Sequence, residues 1–305
     1  MTESREDAAV GLYLARELDK ILDKVFETEY ADIKYSAILP ISTEVGNGHD
    51  SYTYRVYDKV GSMKIIQDRA SDLPRADVVR KEVTNNVRSL GSSFGYTIQE
   101  TRAAALVPGM SLDTRRASAV RRAYEEITQE IAYFGDVANG LTGFFNNTQV
   151  DKIVPDKWFD TSGITTDEML ELLNEPATRM VQNSNMKESP DTMLMPYNVY
   201  RKISTTPRST TSDTTVLEFF LRTNPFIKSV EPINELEATK SSGFLSKDRI
   251  ITYNRSSEKL ELHLPQPLEF FAPQLKGLEY TVPAHARIGG TAVYYPKSVL
   301  VTEKA

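Results

Sequence analysis

The residues able to do chemistry are few and scattered. His49, His263 and His285 are the only histidines, and no two of them share a helical face or the spacing of metal ligands. His263 falls in an alternating pattern, KLELHL, which suits a pairing or surface position better than a catalytic one. No serine stands in G-x-S-x-G, and neither a Walker A loop nor an EF-hand loop occurs. Gly46-Asn47-Gly48-His49-Asp50-Ser51 comes near the dinucleotide fingerprint. Ser51, however, stands where the third glycine belongs, and a strand pattern follows where a helix must begin. Asp68 and Asp72 lie four apart in a stretch that reads as loop, so solvation accounts for both. Other carboxylates are plentiful, but spacing alone pairs none of them across a cleft. With no cysteine, thiolate chemistry and disulfides are excluded. No catalytic, cofactor-binding or metal residue emerges. An enzyme with an unrecognised carboxylate site is the least supported reading.

Bulk properties narrow the class further. The chain has 305 residues, 40% hydrophobic and 26% charged, which suits one large or two ordinary globular domains. A net charge of −6 gives no global basic field for nucleic acid. No apolar run reaches membrane-spanning length, and MTESREDAAV lacks a signal-peptide core.

The elements that must position any site are easier to read. Leu112 to Phe134 is the longest helical pattern. Val120, Ala123, Tyr124, Ile127, Ile131 and Phe134 make one apolar stripe, and charged residues take the other side. At about 1.5 Å per residue the rod spans roughly 35 Å. Ser111 is the N-cap candidate, and Gly135 sits where a helix stops. Residues 4 to 26 form a second amphipathic pattern through Val10, Leu14, Leu18, Ile21 and Val25. Ala37 to Val45 reads as a short extended piece, which Pro40 confines to an edge or an arm.

Ser51 to Val60 alternates, with Tyr52, Tyr54 and Val56 on one side and Thr53, Arg55 and Tyr57 on the other. Val60 to Arg80 is charged and poor in apolar anchors, and strand-like sequence resumes at Lys81. Together they predict a long hairpin that cannot bury itself. Asn139 to Thr148, rich in Gly and Asn, marks a domain boundary. Beyond it, Thr165 and Glu168 predict a capping box. Short helices are expected at 197–204 and 214–223, a buried strand at 191–196, and a hairpin over 249–264.

This order of segments resembles the major capsid proteins of tailed bacteriophages with the Hong Kong 97-type fold, in particular a family first described only as a domain of unknown function. The resembling stretches are STEVGNGHDSYTYRVYDKVGSMKIIQDRASDLPRADV, SLGSSFGYTIQETRAAA, RRASAVRRAYEEITQEIAYFGD, TVLEFFLRTNP and PQLKGLEYTVPAHARIGGTAVYYPKSV. The resemblance implies an α+β fold with an N-terminal arm at 1–50 and an extended E-loop at 51–92. It further implies a peripheral domain with a spine helix at 93–137, an axial domain at 138–269, and closing C-terminal strands at 270–305. The E-loop would lie over a neighbouring copy, through Lys59, Lys64, Ile65, Ile66, Asp68, Arg69, Asp72, Leu73 and Arg75. The implied partners are copies of the chain itself, in pentamers and hexamers of an icosahedral virion shell assembled in the host cytoplasm. Portal, scaffolding and decoration proteins are further expected partners. The shell would enclose double-stranded DNA without reading its sequence, and no membrane or cofactor is implied. Some relatives cross-link a loop lysine to a neighbour's asparagine, but no acid catalyst can be placed beside Lys59 or Lys64. The same fold also builds encapsulin compartments, which is the alternative reading. A host-surface adhesin would show trimeric β-repeats, and none is visible.

Overall fold

In the computed structural model, residues 32–65, 75–104, 112–209 and 213–305 are described. The chain divides into residues 1–32 and 33–305, and every labelled element belongs to the second unit. The amphipathic pattern at 4–26 and the Ser111 cap lie outside the described residues.

The segment expected to be extended from Ala37 begins instead as a one-turn helix, α1 (Tyr35–Ile38), and only Ile41–Ser42 is strand, β1. Tyr35 and Ile38 are buried, so the turn is held by tertiary contacts rather than by its length. Two long strands come next, β2 (Ser51–Val60) and β3 (Asp77–Asn86), paired antiparallel over their whole length. β3 therefore starts inside the stretch read as loop. Strand β4 (Arg88–Thr97) then leaves for a different sheet and leads into the helix α2 (Ile98–Ala104).

The long helix α3 runs from Leu112 to Phe134, as the stripe predicted. Its stripe is only partly buried. Val120, Ile131 and Phe134 are covered, but Ile127 is 38% exposed and Thr128 is fully buried in its place. The helix leans on the body mainly through its last turns. Gly135 ends it at φ +71°, in the left-handed region open to glycine.

The carbonyls orphaned at that end are met by backbone N–H groups from the next loop. After β5 (Gly135–Asp136) and β6 (Leu141–Thr142), the chain folds back. Phe144 N donates to Ala132 O at 2.9 Å and Phe145 N donates to Tyr133 O at 2.7 Å. The Gly- and Asn-rich loop is thus a helix cap that carries two buried phenylalanines into the core.

The remaining elements build a mixed five-stranded sheet. They are β7 (Asp151–Ile153), α4 (Thr166–Asn183), β8 (Thr192–Met195), α5 (Tyr197–Thr205), α6 (Val216–Thr223), β9 (Ser229–Pro232) and β10 (Arg249–Tyr253). Thr165 caps α4 in a complete capping box with Glu168, and the helix continues through Pro176. Then come β11 (Leu260–His263), β12 (Gln266–Phe270), β13 (Gln274–Lys276), β14 (Glu279–Ile288), β15 (Gly290–Val293) and β16 (Val299–Glu303). The sheet order is β7-β16-β10-β8-β9.

Alternation sends the side chains of this sheet into two cores. Met193, Met195 and Ile250 face α4, α5 and α6. Leu194, Ile251, Tyr253, Val299 and Val301 face the core that receives the end of α3. The expected hairpin over 249–264 does not form. β10 pairs with β16 and β8, whereas β11 pairs with β1 and β15 in a separate sheet. Every residue of β10 is buried, which only a central strand satisfies. The C-terminal strands are likewise shared out. β14 pairs with β4, β12 and β13, β15 pairs with β11, and β16 lies between β7 and β10.

Candidate functional site

The β2–β3 hairpin forms a sheet of its own with no third strand among the described residues. Its outer face is built from cross-strand pairs. The hydroxyls of Thr53 and Thr84 are 2.8 Å apart, and Arg55 Nε donates to Glu82 Oε1 at 3.0 Å. Arg80 reaches the same carboxylate. These groups are open to solvent, so each pair contributes less than about 1 kcal/mol. They fix the register without supplying a core.

Among the described residues, the contacts that anchor the hairpin to the body lie at its base. Tyr52 places its ring 4.2 Å from that of His263 and donates its hydroxyl proton to Gly289 O at 3.3 Å. Tyr54 meets Tyr294 edge-on at 5.0 Å. Asn85, directly opposite Tyr52, donates to the Tyr52 hydroxyl at 3.0 Å. At the first turn of the hairpin, Arg287 ion-pairs with Asp50 at 2.5 Å and also donates to Asn47 O. A cavity of about 200 Å³ lined by Tyr54, Val83, Phe134 and Leu141 separates this base from the end of α3.

Farther out the hairpin offers apolar surface to solvent. Tyr57, Val78 and Val79 are more than half exposed, and Met63 and Ile65 are fully so. Lys59 lies near the end of β2 opposite Val78, and Lys64, Ile65 and Arg75 lie beyond the strand ends, all exposed. Ile66, Asp68, Arg69, Asp72 and Leu73 fall outside the described residues. The structure thus brings Lys59, Lys64, Ile65 and Arg75 to one end of a single hairpin. Sequence reasoning missed the base, where Tyr52, Tyr54, His263, Tyr294 and Arg287 do the holding. The alternating tyrosines signalled an inward face but not its partners.

The histidines stay apart, in the turn before β2 (His49), on β11 (His263) and on β14 (His285). Among the described residues, no group of three or more His, Cys, Asp or Glu side chains could hold a metal ion. Nor is any described helix long and apolar enough to cross a membrane.

The family model for major capsid proteins matches residues 61–303. The chain belongs to the major capsid protein family. This capsid protein has the Hong Kong 97-type fold and is a structural subunit of a phage capsid, a component of the virion. Solved structures bear out the architecture at low identity. The capsid of Myoviridae phage XM1 is similar with a TM-score of 0.81 at 16% identity, over 95% of this chain and 98% of that one. A chain of Mycobacterium phage Ogopogo gives 0.64 at 12% identity, over 96% of this chain and 98% of that one. A virus-like particle from Pyrococcus furiosus gives 0.54 at 13% identity, over 88% of this chain and 91% of that one. The compartment-like alternative is the less supported one. No curated protein matches the sequence.

Proposed function

We propose that the outer part of the hairpin, within residues 51–92, lies over a neighbouring copy of this capsid protein and knits pentamers and hexamers into an icosahedral shell. The observation that carries this reading is the exposure of Tyr57, Met63, Ile65, Val78 and Val79 on a ribbon that, among the described residues, has two strands and meets the body at its base. A ribbon of this kind gains too little from its own body to offset the entropy of ordering. A neighbour's surface can cover Ile65, Ile66 and Leu73, while Lys59, Lys64, Asp68, Arg69, Asp72 and Arg75 meet charges at the rim and set register more than affinity. Residues 93–137 serve as the peripheral domain and 138–269 as the axial domain around the capsomer centre, with 1–50 as the N-terminal arm and 270–305 closing the fold.

The shell encloses double-stranded DNA and is assembled in the host cytoplasm, with portal, scaffolding or decoration proteins as further partners. Its role is structural rather than enzymatic. A net charge of −6 suits a wall that contains DNA without gripping it. The test is limited trypsin digestion of free and assembled protein. Free subunits should be cut first between Lys59 and Arg80, and shells should resist cutting there. Equal sensitivity in both would remove the neighbour contact. Charge reversal at Arg69 and Arg75 together should leave the circular dichroism unchanged yet impair shell formation, most at low salt. The nucleic-acid content of purified particles separates a DNA container from a compartment for protein cargo.

A further inference from the structure

The seat of the hairpin turns on one buried histidine. His263 is only 4% exposed. Its Nε2 lies 2.9 Å from the Tyr294 hydroxyl, and that hydroxyl donates to Glu261 Oε2 at 3.0 Å. A phenol has a single proton to give. Because Tyr294 gives it to Glu261, its oxygen must accept from His263, and the neutral ring therefore carries its proton on Nε2. Nδ1 is left as a bare acceptor, buried, and it meets no donor among the described residues. In the slot around the ring, Gly289 packs closely against both His263 and Tyr52. A Cβ at Gly289 would come within 3.0 Å of His263 Cβ and 3.1 Å of Tyr52 Cε1.

We propose that Tyr52, His263 and Tyr294 form an acid-sensitive latch that holds the base of the hairpin on the body while His263 is neutral, and releases it when His263 takes a second proton at Nδ1. Such a proton has no acceptor inside the slot, and only water can take the new N–H. To reach water the ring must leave its place, and Tyr52 stands over its face. Tyr52 is tied to Asn85 on β3 by the 3.0 Å hydrogen bond, so both strands move together.

The charged groups around the cluster are Glu261 on the same strand and Glu44 beyond β1, both acting on Tyr294. At the hairpin's start, Asp50 is paired with Arg287. Burial pushes the imidazole down from 6.5 to about 4. A folded value below the unfolded one means that the unfolded chain binds more protons in between. The seat is therefore firm above pH 6.5, weakens as the pH falls below that value, and has lost this contribution once the pH has fallen through about 4. This concerns the single subunit and does not depend on what the far end of the hairpin touches.

Hydrogen exchange of the full chain, read by mass spectrometry and corrected for the intrinsic rate at each pH, tests the latch. Between neutral pH and pH 4, peptides covering Ser51–Val60 and Asp77–Asn86 should lose roughly ten-fold or more in protection, while Arg249–Tyr253 and Val299–Glu303 keep theirs. In His263→Gln this acid-dependent loss should vanish. An equal loss in the variant, or a loss spread over the whole chain, overturns the proposal. If the variant fails to fold, the wild-type chain still answers. With ¹³C-labelled histidine, the His263 ring should titrate near 4, together with the loosening of the hairpin, and a midpoint at the ordinary 6.5 overturns the latch.

Discussion

Arg249 and Glu303 stand opposite each other in the register of β10 and β16, with Nη2 3.0 Å from Oε2 and both side chains largely buried. Arg249 also donates to Phe145 O at 2.8 Å and to Asn146 Oδ1 at 3.2 Å. One guanidinium thus ties two central strands to the loop that caps α3. Arg249→Ala strands the Glu303 carboxylate and the Phe145 carbonyl together, at an expected cost of about 3 kcal/mol or more. Urea denaturation measures it. A loss well below about 1 kcal/mol would mean that water replaces the guanidinium without penalty.

Ile127 and Ile131 belong to one stripe of α3, yet only Ile131 is buried. Ile131→Asp should therefore cost about 3 kcal/mol or more, and Ile127→Asp less than about 1 kcal/mol, in the unassembled subunit. Thermal unfolding of the two variants side by side decides it. Equal losses would show that the outer side of the helix is covered by the chain's own body.

Gly143 admits no side chain. A Cβ there would lie 2.2 Å from the carbonyl carbon of Phe134 and 2.3 Å from Gly135 N, both backbone atoms. Gly143→Ala should dislodge the cap of α3 and lower stability by about 3 kcal/mol, with a matching fall in soluble yield. A variant of wild-type stability would mean that the loop can shift without loosening the end of the helix.

The start of α4 carries a pH dependence of known sign. Lys157 beside Glu168, with the Thr165 N–H, holds the Glu168 carboxyl down at about 2. Its folded value lies below the unfolded one, so the contribution is complete above pH 4.5 and is lost as the pH falls through about 2. Hydrogen exchange at the first turn of α4 should follow that window, and Glu168→Gln should flatten it. Thr165→Ala should cost about 1 kcal/mol at neutral pH.

How far the fold was legible depended on whether a signal was local. The limits of α3 follow from its stripe and Gly135, and the start of α4 follows from Thr165 and Glu168. In both cases the residues that decide the element lie inside it or at its edge. RIITY and KLELHL misled because two short apolar runs around a turn carry the same pattern whether they pair with each other or with distant strands. Only the burial of all of β10 distinguishes the cases. The loop at 139–148 hid Phe144 and Phe145 behind a composition that reads as linker. At the hairpin, the parity of Tyr52 and Tyr54 told which face turns inward. His263 and Tyr294 lie too far along the chain for periodicity to reach them.

The place of β16 between β7 and β10 also has a kinetic consequence. Until Val299–Glu303 arrives, Asp151–Ile153 and Arg249–Tyr253 each present an open edge of unpaired backbone groups, and both faces of β10 are ones that the finished fold buries. Contacts this distant form late, because the loops between them must close first. During that interval a nascent copy is as ready to pair with another copy's strand as with its own. For a protein that assembles with its own copies, the slowest contact of the fold and the moment of greatest exposure to its own kind coincide.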